Sequence, residues 1–330
     1  MSTLSSTAKS TTVNLDLSAQ SEIQHRSLWS EAFQRLLKNR LAVVGLGIVI
    51  IFLVAAIIGP YVTPFDFLEQ SIGNALQGPS ADHWLGTDAL GRDIFSRLLY
   101  GARTAALVGL TSTVVSLLIG IIIGTVGGFL GGRVDEFLMW FTDVTMSVPG
   151  LLLAMLVNST LKRPVAAWFD AMYEQTRDPF YLNTLWLDFV LVFGALALIS
   201  WPAYARLIRG QVLSIGKTVY VEASQSTGAS TRRIMWNHII PNAMGPLVVA
   251  VTAGIGAAIT LESTLSFLGI GVQPPNASWG SMLADSLSLW ISFPHLMIIP
   301  ATTIGIITLG FTFLGDGLND ALNPRQTLNE

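Results

Sequence analysis

Six long apolar runs divide this chain, and polar or charged segments separate them. The first run, at 41–59, is close to the ~20 residues with which a helix crosses the hydrocarbon core of a bilayer. Five more runs follow at 104–130, 137–157, 185–201, 245–269 and 296–314. The fourth is the shortest, and we leave its end open as far as Ile208. The pattern predicts an all-α membrane protein with six transmembrane helices.

The composition agrees with a chain that faces lipid. Of the 330 residues, 51% are hydrophobic and only 12% are charged, whereas a soluble domain is usually about 25% charged. The net charge of −3 and the lack of a basic patch with interleaved aromatic residues argue against nucleic-acid binding. Cysteine is absent, and the four histidines lie far apart without ligand-like spacing, so we predict no metal site.

Charge asymmetry indicates how the chain is threaded. With the amino terminus inside, the inner segments hold twelve Lys and Arg residues and the outer loops hold six. This excess favours amino and carboxyl termini in the cytoplasm. The predicted parts are a cytoplasmic tail with an amphipathic segment at 1–40, a first helix at 41–59, an extracytoplasmic loop at 60–103, a core at 104–316 and a cytoplasmic tail at 317–330. The core includes an extracytoplasmic insert at 158–184 and a cytoplasmic loop at 203–244.

The second apolar run repeats glycine at every fourth position. Gly120, Gly124, Gly128 and Gly132 share one helix face at this spacing. Small residues spaced in this way let helix backbones approach closely in lipid. We therefore predict a helix-packing face, with a pore-lining role for the same face as the alternative.

Two acidic residues fall inside predicted spans, Asp143 in the third and Glu262 in the fifth. Ionisable residues in a span usually face the interior of the bundle and are functional candidates. Both lie within about two helical turns of a span end. We therefore predict hydrogen bonds between helices rather than contact with a substrate.

The loop at 203–244 contains a short helix–glycine–helix pattern. Residues 222–227 can form a helix, and Gly228 supplies a backbone that turns freely. Ser230 or Thr231 can cap a second helix, which we expect Pro241 to stop before the fifth span. Small residues at 223, 224, 226, 228 and 229 would let the backbone of a partner come close. The pattern predicts a docking surface outside the membrane.

This loop resembles a motif of the permease subunits of ABC importers, which reads Glu-Ala-Ala, three residues, Gly, nine residues, Ile-x-Leu-Pro. The chain matches it at Glu222, Ala223, Gly228, Ile240 (in place of leucine) and Pro241. It departs at Ser224, in place of the second alanine, and at His238, in place of isoleucine. Leu-Gly-Thr-Asp at 85–88, Gly-Arg-Asp at 91–93 and Ser-Trp-Gly at 278–280 are similar to the C-type subunit of dipeptide and oligopeptide permeases. The resemblance extends over about residues 28–325.

The resemblance implies a type I permease fold in the bacterial cytoplasmic membrane, surrounded by lipid. The implied cargo is dipeptides or oligopeptides, with nickel chelates or glutathione as alternatives. The implied partners are a homologous B-type permease subunit, two cytoplasmic ATPases and an extracytoplasmic substrate-binding protein. No catalytic residue and no cofactor is expected on this chain, because the partner ATPases would bind ATP and Mg²⁺.

The resemblance also suggests roles for particular residues. The coupling loop that would dock on an ATPase comprises Glu222, Ala223, Ser224, Gly228, Ala229, Arg232, Arg233 and Pro241. For the two arginines, a topological role near the inner membrane face is equally favoured. On the outer side, Asp88, Gly91, Arg92 and Asp93 are candidates for contact with the binding protein or for an external gate. A structural turn that leads into an interfacial helix is slightly favoured over both.

A secondary transporter driven by an ion gradient is the competing class. Such a protein is expected to show internal repeats and broken helices around charges at the membrane midplane. The sequence shows no evident repeat, and Asp143 and Glu262 lie away from the span centres. An intramembrane enzyme is disfavoured further, because the predicted spans contain no nucleophile–base pair.

Overall fold

The computed structural model describes residues 28–182 and 184–322, with their side chains except at positions 28, 29, 182–188, 225, 231, 232 and 236. The described residues form eleven α-helices: α1 (Leu28–Lys38), α2 (Arg40–Val62), α3 (Ile94–Leu130), α4 (Gly132–Ser147), α5 (Gly150–Thr176), α6 (Thr184–Ile215), α7 (Val219–Ser226), α8 (Thr231–Ile234), α9 (Ile240–Phe267), α10 (Trp279–Ser286) and α11 (His295–Leu322). Short 3₁₀ turns at Ile72–Asn74 and Pro179–Leu182 and a π-helical segment at Met235–Ile239 accompany them. Within these ranges no strand occurs beyond an isolated bridge of Thr87 with Asp93. The all-α class is confirmed.

Five helices are long and apolar enough to cross a membrane: Arg40–Val62, Ile94–Leu130, Phe189–Ile215, Asn237–Phe267 and His295–Leu322. A sixth crossing exists if α4 and α5, which bend by 89° at their junction, count as one span. The predicted third span, 137–157, is therefore not one straight helix. Pro149 has no N–H to donate and holds Val148 in an extended conformation with ψ 126°, so α4 ends at Ser147.

Short polar side chains set where the first two spans begin. Asn39 Oδ1 accepts hydrogen bonds from the amides of Leu41 at 3.1 Å and Ala42 at 3.3 Å. Asp93 Oδ2 accepts one from the amide of Ser96 at 2.8 Å. Such caps satisfy amides that have no partner within the helix. Because α2 continues to Val62 and α3 already starts at Ile94, the connecting loop is 63–93 rather than the predicted 60–103.

The segment predicted as a separate insert, 158–184, is mostly the second half of α5. This helix runs unbroken to Thr176, and Arg177 then takes a left-handed conformation with φ 56°. Phe169 of α5 and Leu191 of α6 are buried against each other in one apolar cluster. Most of the predicted insert is thus a continuation of α5, followed by a 3₁₀ turn at Pro179–Leu182.

Glycines let α3 pack tightly against α6 at the centre of the bundle. A Cβ atom added at Gly120 would overlap with Tyr204 and Ala205 of α6, and one added at Gly124 would overlap with Ala205 and Ile208. One added at Gly128 would lie 3.0 Å from Cβ of Val212, also on α6. Helix backbones approach this closely only where side chains are absent.

The fourth predicted member of this glycine face lies elsewhere. Since α3 ends at Leu130, Gly132 is the first residue of α4 and has a φ of +53°. Nothing lies within 4 Å of a Cβ atom added there. Assigning Gly132 to the packing face was wrong, because the regular spacing of glycine continued past the end of the helix.

The bundle has two ends of different construction. One, the loop end, carries loop 63–93, α10 and the first turns of α3 and α11, and Trp279 Nε1 of α10 donates to the carbonyl of Leu98 on α3 at 2.9 Å. The opposite end carries α1, α7 and α8 together with the last turns of α6 and α11. There, Leu36 of α1 packs on Ala321 of α11.

Candidate functional site

The end opposite the loop end bears a small helical projection, which we call the knob: α7, the turn at 227–230 and α8. Its base is apolar, with Val221 and Ile234 at 0% and 2% exposure. These side chains pack together with Ile208 of α6 and Leu247 of α9. The knob is therefore packed against two membrane helices at its base, and we call this end of the bundle the knob end.

The outer surface of the knob is open and made of small residues. Glu222, Ala223 and Gly228 are exposed, and Ser224 is half-buried. Ala229 was predicted to belong to this surface, but it packs against the apolar base. Short local bonds fix the helix end, as in the 3.0 Å bond from Thr227 Oγ1 to the carbonyl of Ser224. The exposed face of α7 is therefore a short, regular helix surface with little side-chain bulk.

Gly228 shapes the turn at the tip of the knob. Its φ of +81° belongs to the left-handed region, which costs other residues roughly 1–2 kcal/mol. A Cβ atom added there would meet nothing within 4 Å. Glycine is therefore needed at 228 for the backbone conformation, and the space around it is free for a partner.

Pro241 does not stop the second helix of the knob, so that prediction was wrong. It occupies the first turn of α9, where a missing N–H is tolerated. The chain continues from α8 through the π-helical segment Met235–Ile239 directly into α9. The knob and the fifth span thus form one uninterrupted helical path.

The two arginines after the knob turn differ in what the structure describes. Arg233 is exposed, whereas the side chain of Arg232 lies outside the described part of the structure. Close by, Tyr220 and His238 place their rings 6.0 Å apart. Val219 and Tyr220 are 81% and 46% exposed, so an apolar patch adjoins the small-residue surface.

Ion pairs brace α6 against α4 above the knob. Arg209 donates from Nε and Nη2 to the two carboxylate oxygens of Asp135, both at 2.6 Å. Arg206 pairs with Asp143 on a more exposed part of the same interface. Asp143 thus bonds between helices, and a two-pronged arginine–carboxylate pair fixes orientation as well as distance.

Glu262 is buried at 1% exposure and is surrounded by serine hydroxyls. Its carboxylate accepts from Ser266 at 2.7 Å, from Ser278 at 2.9 Å and from Ser263 at 3.3 Å. Ser278 also caps α10 by accepting from the amide of Gly280. The carboxylate therefore ties α9 to the start of α10 rather than lining an open path.

The loop end holds a second group of charges, the arginine cluster: Asp88, Arg92, Arg97 and Asp285. Asp88 Oδ2 accepts from Arg92 Nε at 2.7 Å and from Arg97 Nη1 at 2.5 Å. Asp285 of α10 lies within 3.2–3.4 Å of both guanidinium groups. The cluster connects loop 63–93, α3 and α10.

The other two residues of the outer motif have structural positions. Asp93 caps α3 through Oδ2. Its Oδ1 lies 2.9 Å from Nδ1 of His83, within hydrogen-bond distance. Gly91 has a φ of +73°, and a Cβ atom there would overlap with the carbonyl of Ser71. Among the described residues, no group of three or more His, Asp or Glu side chains could hold a metal ion.

Sequence comparison identifies the family. Residues 116–328 match the binding-protein-dependent transport system inner membrane component family, and residues 27–79 match the N-terminal TM domain of oligopeptide transport permease C. The chain belongs to this permease family. It is a multi-pass inner membrane protein and a permease subunit of an ABC importer.

Similar permeases include proteins from several bacteria. The oligopeptide transport system permease protein OppC of Bacillus subtilis is 40% identical over 299 residues, 91% of this chain and 90% of the relative. The dipeptide transport system permease protein DppC of Alkalihalophilus pseudofirmus is 37% identical and covers 91% of both chains. The glutathione transport system permease protein GsiD of Salmonella typhimurium is 38% identical and covers 92% of both chains.

Sequence reasoning missed several residues that the permease structure places at these sites. Val219 and Tyr220 precede the recognised motif. Their only signal in the sequence is that they are apolar residues in a polar loop. Arg97 and Asp285 are 188 residues apart, so no local pattern could join them. Arg97 could have been suspected only from its position one helical turn after the capping residue Asp93.

Proposed function

We propose that this permease forms half of an ATP-driven import path for short peptides. The relatives are named for oligopeptide, dipeptide and glutathione transport, and glutathione is itself a short peptide. A homologous B-type permease would form the other half. A binding protein outside the membrane would deliver the peptide, and two ATPases inside would bind ATP and Mg²⁺.

The observation that carries the proposal is the exposed knob on a continuous helical path. Its outer face is small and open at Ala223 and Gly228, and its base packs on α6 and α9. A protein that grips the outer face would move both spans, because α9 continues from the knob without a break. Closure of the ATPases would then favour one of two arrangements of the bundle.

The proposed orientation puts the knob end in the cytoplasm, with both termini on that side. The excess of basic residues in the segments assigned to that side supports it. Arg206, Arg209 and Lys217 lie on the last turns of α6 or just after them, next to the knob. The loop end would then face the binding protein.

Cross-linking tests the docking and the orientation together. Because the chain has no cysteine, Ala223→Cys gives a single thiol on an exposed helix without the backbone strain expected at position 228. Glu69→Cys, exposed on loop 63–93, is the matched control. In the complete transporter, a short bifunctional reagent should join position 223 to an ATPase subunit, and position 69 should give no such product. Labelling of position 223 from outside the cell, or its failure to reach the ATPase, would contradict the proposal.

A further inference from the structure

A pocket at the loop end combines charged and apolar walls. It lies between the start of α3, α10 and the start of α11, and its volume is about 160 Å³. One wall is the arginine cluster. The pocket is also lined by apolar side chains: Leu90, Ile94, Met282, Leu289 and Leu296. Roughly 150 Å³ is enough for a benzene-sized group.

The two carboxylates of the cluster bind the arginines unequally. Asp88 is 7% exposed, and while its Oδ2 holds both guanidinium groups, its Oδ1 accepts from the amides of Leu90 and Arg92 at 2.9 and 3.0 Å. Its position is therefore fixed by the loop. The Asp285 side chain is 43% exposed and reaches the arginines through Oδ2 at 3.2–3.4 Å, longer than the 2.5–2.7 Å to Asp88. Asp285 is the weaker and more accessible counter-ion.

We propose that this pocket binds a carboxylate that carries an apolar group of four or five carbons or a ring, and that Asp285 occupies the carboxylate position when the ligand is absent. Asp88 balances one of the two guanidinium charges, and Asp285 balances the other only until a ligand carboxylate takes its place. Guanidinium groups hold carboxylates through paired, charge-assisted hydrogen bonds. The apolar walls then accept the side group.

The carboxyl-terminal residue of a peptide has both a carboxylate and, when its side chain is apolar, the apolar group that the pocket would take. The identification of the ligand as a peptide rests on the proposed function. The same carboxylate chemistry could come from an acidic side chain of the binding protein. The structure favours a small solute, because a pocket of about 160 Å³ places apolar side chains next to the arginines. The test is run without the binding protein, so that it measures binding of a small acid alone.

The probe is 4-methylpentanoate, with its amide as the uncharged twin of the same shape. Binding is titrated by ligand-observed NMR on the complete transporter in nanodiscs, without ATP and without binding protein. The acid should bind and the amide should bind at least about tenfold more weakly, which corresponds to about 1.4 kcal/mol. Equal binding of acid and amide, or acid binding that requires the binding protein, would overturn the proposal.

Asp285→Asn is the decisive variant, because it removes the competing charge at a half-exposed position. It should tighten binding of the acid about tenfold and leave the amide unchanged. Glu69→Gln removes an exposed carboxylate from the same loop outside the pocket and should change neither. Arg92→Gln should abolish binding of the acid, and if its melting temperature shows that the fold is lost, Asp285→Asn decides alone. Unchanged or weaker acid binding by Asp285→Asn would refute the proposal.

The outcome of these binding measurements does not depend on the outcome of the cross-linking experiment. They need no ATP hydrolysis and no contact at the knob. A permease whose position 223 does not reach an ATPase could still bind the acid, and the reverse also holds.

Discussion

The knob end and the loop end of this permease are stabilised in different ways. At the knob, Val221 and Ile234 are buried in an apolar base, while Ala223 and Gly228 on the outer face are exposed. At the loop end, buried charges are matched within the chain, as in the contacts of Asp88 with Arg92 and Arg97. An exposed surface of small side chains is suited to transient binding of a partner. A cluster whose groups satisfy one another fixes helices in place.

The contrast predicts that loop-end substitutions lower stability and that knob-surface substitutions lower coupling. The strongest test is Asp88→Ala, which leaves two buried guanidinium groups with only the half-exposed Asp285. Removing one partner of a buried ion pair costs about 3–5 kcal/mol. Equilibrium unfolding in mixed SDS micelles should show this loss, and Glu69→Ala on the same loop should not. A loss below about 1 kcal/mol for Asp88→Ala would mean that the cluster does not hold the loop end together.

The packing between the ends is tested by two glycines. A Cβ atom at Gly124 would overlap with Ala205 on α6, so Gly124→Ala should cost about 1–3 kcal/mol. Gly194 on α6 has nothing within 4 Å of an added Cβ atom. Gly194→Ala should therefore be neutral or stabilise by up to about 1 kcal/mol through helix propensity. Equal effects of the two substitutions in the unfolding assay would contradict the close approach of α3 and α6.

The two ion pairs beside the knob should differ in strength. Arg206 and Asp143 are about half exposed, at 47% and 62%, so Arg206→Ala should cost about 0.2–1 kcal/mol and less at high salt. Arg209→Ala should cost more, because Arg209 holds both oxygens of Asp135, whose side chain is only 15% exposed. The reverse order in the same unfolding assay would show that the geometry of the pair does not determine its contribution.

The knob surface should tolerate bulk in folding but not in assembly. Ala223→Arg places a long side chain on an exposed helix, so stability should stay within about 0.5 kcal/mol of the parent. Co-purification of the ATPases should nevertheless fall at least about tenfold, because the added side chain blocks close approach of a partner. Gln70→Arg, exposed at the loop end, is the matched control and should retain the ATPases. Full retention by Ala223→Arg would show that the ATPases bind elsewhere.

Much of the fold follows from the sequence because lipid imposes a simple rule on length and polarity. Five of the six predicted spans coincide with long apolar helices, and the spacing of Gly120, Gly124 and Gly128 marks the face that meets α6. The start of α3 was predicted too late, at 104 instead of Ile94, because Arg97 and Arg103 interrupt the apolar run. The break before Pro149 could have been predicted, because proline disfavours the helical conformation of the residue before it.

The candidate sites divide in the same way. The knob is a local feature, so its turn at Gly228 could be predicted, although Pro241 was assigned to the wrong end of a helix. The arginine cluster is not local: Asp285 meets Arg97 only because α10 packs against the start of α3. No periodicity or short motif encodes such a contact between distant segments of one chain.

Peptide uptake into proteoliposomes is the direct test of ATP-driven import coupled through the knob. We expect accumulation of a short peptide only when both permeases, the ATPases, the binding protein and ATP are present, and we expect Ala223→Arg to abolish it. Accumulation by this chain alone under an ion gradient, or full uptake by Ala223→Arg, would contradict that mechanism.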